Sequence, residues 1–122
     1  MAIGCLTLRR PFVADHFHDL PGFVEARHGH NWEIAATAEL AEPGATMEEA
    51  RFAALLDAWV AGVDYRLLNE LPALQNRNPT AEVLAQWAFG YLRDSGLNPV
   101  SVRIREKANY WARARRAPEV RP

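Results

Sequence analysis

"NPTAEVLAQWAFGYLRDSGLNPVSVRIRE", residues 78–106, changes its hydrophobic period part-way along. Val83, Leu84, Trp87, Ala88, Tyr91 and Leu92 recur at three- and four-residue intervals, which places them on one stripe of a helix. Asn78 or Thr80 can cap its start, Pro79 suits a first turn, and Gly96 marks its end. Beyond Gly96, Val100, Val102 and Ile104 alternate with Ser101, Arg103 and Arg105. That is the two-residue period of a strand with one covered face. The stretch reads as an amphipathic helix followed by a strand on which it can lie.

Upstream, "TMEEARFAALLDAWVAG" (residues 46–62) sets Thr46 ahead of Glu49 at capping-box spacing and repeats apolar residues at Phe52, Leu55, Leu56, Trp59 and Val60 before Gly62. Further strands are expected over about 3 to 13, about 31 to 40, and from Tyr110 to Ala114. The order strand, strand, helix, helix, strand, strand (ββααββ) predicts an α+β fold. Its four-stranded antiparallel sheet carries both helices on one face. The two open sheet edges favour pairing with neighbouring copies, so a homo-oligomer is expected.

At 122 residues and 49% hydrophobic content the chain forms one domain, 1–122, whose basic, proline-bearing end (about 117–122) is expected to be a disordered tail. Fourteen basic against fifteen acidic residues leave a net charge of -1, which gives no electrostatic case for nucleic acid or an anionic membrane as partner. A single cysteine, Cys5, rules out an intrachain disulfide. No secretory leader is evident and no apolar run reaches the roughly 20 residues of a membrane span, so a cytoplasmic location is expected.

All four histidines, His16, His18, His28 and His30, fall within fifteen residues. If 28–30 is extended, His28 and His30 share a face, and Gly29 between them admits a neighbouring backbone. A third nitrogen from His16 or His18 would complete a metal site; spacing alone leaves both as candidates. Three imidazoles with one open position suit catalytic zinc, whereas structural zinc is closed by four protein ligands. Asp15 and Asp19 are candidates for orienting a ligand ring. The plain alternative is a set of histidines bonded to backbone and water.

"FVADH" (12–16), "HGHNW" (28–32), "VDYRLLNE" (63–70), "NPTAEVLAQW" (78–87) and "VRIREKANYWA" (102–112) together resemble the successive motifs of the 6-pyruvoyltetrahydropterin synthase and 6-carboxytetrahydropterin synthase family over nearly the whole chain. The resemblance implies a tunnelling fold, whose sheets join into a barrel as a trimer or dimer of trimers with the site at a subunit interface. It implies Zn2+ on His16, His28 and His30, which decides between His16 and His18. It also implies a pterin held by Glu106, with Thr80 and Glu82 of the "PTxE" motif beside it. A carboxylate suits that task because a pterin's amino-pyrimidinone edge presents two adjacent N–H donors.

Two departures bear on activity. Classical members carry a cysteine four to six residues before HGH, where this chain has Gly22, Phe23 and Val24; what it offers is Glu25, in E-x-x-H-G-H. That pattern resembles the type III subgroup, in which glutamate replaces cysteine. The subgroup is associated with cleaving 7,8-dihydroneopterin triphosphate to 6-hydroxymethyl-7,8-dihydropterin. Glu25 would be the proton acceptor if desolvation raises its pKa. The family's relay histidine after the aspartate is Tyr65, following Asp64, and an ordinary phenol, with a pKa of about 10, is a poor proton carrier at pH 7. The expectation is a zinc-dependent pterin lyase with Glu25, Asp64 and Tyr65 as its catalytic set. The alternatives are a 6-carboxytetrahydropterin synthase of the queuosine pathway, a pterin or purine binder without turnover, and a structural metal domain.

Overall fold

Four long strands carry the architecture of the computed structural model, which describes residues 4–41 and 46–118. In chain order the elements are β1 (Cys5–His16), β2 (Asp19–Leu20), β3 (Phe23–Val24), β4 (His28–Glu39), α1 (Thr46–Val63), β5 (Arg66–Leu67), two 3-10 turns (Leu68–Glu70 and Pro72–Leu74), α2 (Ala81–Asp94), β6 (Asn98–Lys107) and β7 (Tyr110–Arg115). The main sheet runs β5-β1-β4-β6-β7. Its long strands are antiparallel, as expected. The sheet as a whole is mixed and five-stranded, because β5 pairs parallel to the end of β1 at Ala14 and Asp15. The pairs β2 and β3 form a separate small hairpin.

Register decides which side chains meet. Phe12 faces Trp32 across the β1–β4 ladder, and Ile34 and Ala36 face Ile104 and Val102 across β4–β6. The even-numbered residues of these strands therefore share one face. There Phe12, Ala14, Trp32, Ile34, Ala36, Ala38, Val102 and Ile104 form one core with Phe52, Leu56, Trp59 and Val63 of α1 and Leu84, Ala85, Ala88 and Leu92 of α2. Both helices thus lie on that face. Phe12 stacks on Trp32 with ring centroids 5.8 Å apart, and Trp32 Nε1 donates to the Ala14 carbonyl at 3.0 Å, so the buried indole keeps its hydrogen bond. Complete burial of Phe52 or Leu56 stabilises the fold by about 1.5–3 kcal/mol each.

Several local expectations shift. Thr80, not Asn78, caps α2: its Oγ1 accepts from the Val83 amide at 3.2 Å, which leaves Pro79 ahead of the cap. Asn78 is used elsewhere, its Oδ1 accepting from the Asp19 amide at 2.7 Å. The helix α1 runs past Gly62 to bury Val63. A bulge opposite Thr37 and Ala38 takes Val100 out of the alternation, so Pro99 and not Val100 is the buried residue there. The Thr46 side chain and residues 119–122, on which the expected capping box and most of the expected tail fall, lie outside the described residues. No helix among the described residues is long and apolar enough to cross a membrane.

Candidate metal centre and active site

The helix-covered face continues beyond the apolar core into polar residues. Extending β1 to His16 and starting β4 at His28 places these two residues directly opposite each other, with His30 opposite Ala14. His16, His28 and His30 are all even-numbered, so they share the core face, and Glu106 follows Val102 and Ile104 onto it from β6. One ligand atom from each of His16, His28, His30 and Glu106 lies within 4.8 Å of the others. The imidazole centroids stand 4.6 Å (His16–His28), 4.9 Å (His28–His30) and 5.2 Å (His16–His30) apart.

Two of the rings are oriented by backbone. His16 Nδ1 lies 2.8 Å from the Pro79 carbonyl and His28 Nδ1 2.9 Å from that of Ala26, so each Nδ1 donates its proton and each Nε2 is left with a lone pair. His16 Nε2 is buried with no hydrogen-bond partner among the described residues. Buried nitrogens are rarely left so. Neutral imidazoles presenting bare nitrogens to a shared point, with a carboxylate alongside, are a donor set that fits a divalent cation such as zinc.

The orienting partners are therefore carbonyls and not Asp15 or Asp19. Asp15 is odd-numbered and faces away, where its Oδ2 accepts from Arg27 Nε at 2.8 Å. Its Oδ1 is also what approaches Gly29, 2.5 Å from where a Cβ would stand; the nearest backbone atom, the Ala14 carbonyl oxygen, is 3.9 Å away. His18 stays outside the metal-ligating group. Its amide donates to Glu25 Oε1 at 3.2 Å and its carbonyl accepts from the Glu25 amide at 3.0 Å, which closes the base of the β2–β3 hairpin.

That closure aims Glu25. Its Oε1 lies 3.6 Å from His28 Nδ1 and 3.8 Å from His18 Nδ1. Glu25, His18, His28, His30, Thr80, Glu106, Lys107 and Tyr110 line one cavity of about 400 Å³, within the range of small-molecule sites. Thr80 both caps α2 and faces this cavity. Glu82 does not line it: it accepts from the Tyr110 hydroxyl at 3.0 Å. Its own backbone amide, then Tyr110, hold that carboxyl below the ordinary carboxylate range.

Asp64 and Tyr65 lie elsewhere on the chain. Asp64 Oδ1 accepts from the Val13 amide at 2.9 Å, and Tyr65, at φ 57° and 82% exposed, borders a small groove with Val13, Asp15, Arg27 and Arg66. Within one chain they do not join the histidines. Tyr110 and Lys107, by contrast, carry no assigned role in the sequence beyond the motif at 102–112. The signal that could have found them is their position around a tight β6–β7 turn immediately after Glu106.

Residues 5–117 match the model of a family described as 6-pyruvoyl tetrahydropterin synthase. The chain belongs to that family. Among its relatives is a provisionally named 6-carboxy-5,6,7,8-tetrahydropterin synthase of Archaeoglobus fulgidus, 33% identical over 103 residues that cover 81% of this chain and 86% of that one. Of the solved structures, the 6-pyruvoyl tetrahydropterin synthase of Caenorhabditis elegans superposes with a TM-score of 0.79 at 19% identity, covering 96% of this chain and 98% of the other. The Plasmodium vivax synthase superposes at 0.70 and 13% identity, covering 95% and 99%. A family so described accounts for the ββααββ order and for the five motifs along the chain.

Burial holds the pKa of both His16 and His30 below the ordinary 6.5; the Glu106 charge opposes it in each, as does the Pro79 hydrogen bond at His16. Both rings are thus neutral at pH 7. A ring held neutral in the fold takes up a proton more readily once unfolded, so metal-free protein should keep its full stability above about pH 6.5 and lose it as pH falls below that value. Thermal melting of metal-free protein at about pH 7.5 and about pH 5.5 checks this, with a lower midpoint expected in acid. An unchanged or higher midpoint contradicts it.

Proposed function

We propose that the chain is a metal-dependent pterin lyase that cleaves the side chain of 7,8-dihydroneopterin triphosphate to give 6-hydroxymethyl-7,8-dihydropterin. The observation that carries this reading is the opening of Glu25, His28, His30 and Glu106 into one cavity, with His16 buried behind them in the same group of ligand atoms. Glu106 accepts the paired N–H donors of the pterin edge, which orients the ring. Lys107, the permanent cation among the lining residues, suits the triphosphate. His16, His28 and His30 would hold a zinc ion, which when bound would supply Lewis-acid polarisation of the side-chain hydroxyls.

Glu25 takes the proton of the C2′ hydroxyl. The C1′–C2′ bond breaks, its electron pair passes into the C6–N5 unit of the ring, C2′ becomes an aldehyde that leaves with the triphosphate, and a proton returns to C1′. The Plasmodium vivax synthase also has a catalytic glutamate, and its structure has been solved with that residue replaced by cysteine or alanine. Copies of the chain join through the exposed outer edges of β1 and β7 into a barrel-forming trimer or dimer of trimers, an arrangement the open edges and the family likeness support. Asp64 and Tyr65 then act from a neighbouring copy.

The Archaeoglobus relative favours a second reading, 6-carboxytetrahydropterin synthase. Zinc-loaded protein incubated with 7,8-dihydroneopterin triphosphate, with products identified by mass, separates the two. The hydroxymethyl product is expected; 6-carboxytetrahydropterin without it overturns the assignment.

A further inference from the structure

We infer that the helix-free face of the sheet holds a second binding site, for a small anion that carries two or more linked phosphate groups. The site does not depend on the metal and pterin reading above. Thr37, near its centre, lies about 20 Å along β4 from His30 and, being odd-numbered, on the opposite side of the sheet.

Register lays this face out in rows across the four long strands. One row is Thr7, Thr37, Ser101 and Arg115, and the next is Arg9, Ala35, Arg103 and Arg113. Arg103 and Arg113 thus stand directly opposite each other, and like charges so placed destabilise a sheet. Arg115 joins them two residues along β7. None of these three guanidiniums has an ion pair or hydrogen bond among the described residues. The carboxylates of β4 on this face are engaged elsewhere. Glu33 accepts from Arg9 at 2.9 Å and lies 3.6 Å from Arg105, while Glu39 pairs with Arg116 and accepts from Asn98 Nδ2 at 2.9 Å. Arg103 lies over the Trp111 ring, its Cζ 4.4 Å from the centroid, which holds the guanidinium in place without neutralising it.

The shape of the face is the second support. Ala35, small and buried, leaves a hollow of about 230 Å³ lined by Thr7, Thr37, Ser101, Arg103 and Arg113. It shares Ser101 and Arg113 with a larger cavity of about 850 Å³ that reaches Arg115. Thr7 Oγ1 and Thr37 Oγ1 lie 2.7 Å apart, so one hydroxyl proton of that pair is left for a ligand, and the Ser101 hydroxyl has no partner among the described residues. A floor of hydroxyl donors under a rim of guanidinium forks suits phosphate oxygens. Three positive charges exceed the roughly -1.5 to -2 that one phosphate carries at pH 7, whereas linked phosphates match them. Along β7 such a chain spans Arg113 to Arg115, whose backbones are about 7 Å apart. A polynucleotide fits less well, because the chain as a whole carries a net charge of -1.

Isothermal titration of the full chain with inorganic triphosphate, in about 0.15 M salt and without added divalent metal, tests the site. Saturable binding is expected, at least about tenfold tighter than that of orthophosphate. The double variant Arg113→Gln, Arg115→Gln should bind triphosphate at least about tenfold more weakly, with circular dichroism confirming its fold. Lys107→Gln, in the other cavity, should keep the binding. Triphosphate binding with ATP comparable assigns the shared phosphate chain, and triphosphate much tighter than ATP assigns a free oligophosphate; both uphold the site. ATP binding without triphosphate binding overturns it, as does a single-stranded oligonucleotide held more tightly than triphosphate. No binding at millimolar triphosphate overturns it too, and so does binding lost in Lys107→Gln but kept in the double variant. Should the double variant not fold, a crystal structure of the unaltered chain with triphosphate decides. Phosphates against Arg103, Arg113 and Arg115 uphold the proposal, and phosphates only elsewhere overturn it.

Discussion

His16→Ala is expected to cost the chain its metal. His16 closes the β1 end of the ladder opposite His28, and its Nε2 is the buried member of the three converging nitrogens. Removing a hydrogen-bond partner behind a ligand typically lowers metal affinity about 10–100-fold, and removing the ligand itself should cost more than that. The same change orphans the Pro79 carbonyl and opens a cavity beside Trp32, so the metal-free variant should also be less stable by roughly 1–3 kcal/mol. His30→Ala separates the two effects. Its side chain is 20% exposed and makes no hydrogen bond among the described residues, so it should lose metal with less damage to the fold. Competition with a chromophoric chelator gives the affinities and urea unfolding the stabilities. Near-native affinity in both variants contradicts the site.

Glu25→Gln should lower turnover by about 10²–10⁴-fold with ligand affinity retained. The substitution keeps an oxygen to accept from the His18 amide, so the base of the β2–β3 hairpin survives while the proton acceptor is lost. Steady-state kinetics with dihydroneopterin triphosphate, beside calorimetric binding of 7,8-dihydroneopterin, resolves the step. A loss of affinity with kcat unchanged would make Glu25 a binding group, since an interaction of that kind acts equally on ground and transition states. A binder without turnover has no rate to lose, and a structural metal domain has no pterin affinity in either form.

Local signals in the sequence were enough for the helices and the strand order. Val83, Leu84, Trp87, Ala88 and Leu92 announce α2, and the alternation at Val102 and Ile104 announces β6, because periodicity is a property of neighbouring residues. The histidines were visible as a type and a spacing. Their convergence was an expectation carried by the family resemblance, and spacing alone left His16 and His18 both open, because the pairing of His16 with His28 is a matter of register set by the whole β1–β4 ladder. Glu106 at the metal cluster needs three strands aligned at once. The bulge that displaces Val100 and the two-residue parallel β5 carry too little pattern to be read. Asp15 illustrates parity: one residue from His16, it faces the other side of the sheet. Asp64 and Tyr65 follow each other in the motif that carries the family resemblance, yet backbone contacts with Val13 hold both away from the histidines within one chain.

Zinc-edge X-ray absorption on stoichiometrically loaded protein tests most directly whether this face of the sheet holds an ion. One zinc per chain with three imidazole nitrogens at about 2.0–2.1 Å is the predicted result. Substoichiometric zinc surrounded by oxygen, without the outer scattering of imidazole rings, would contradict it.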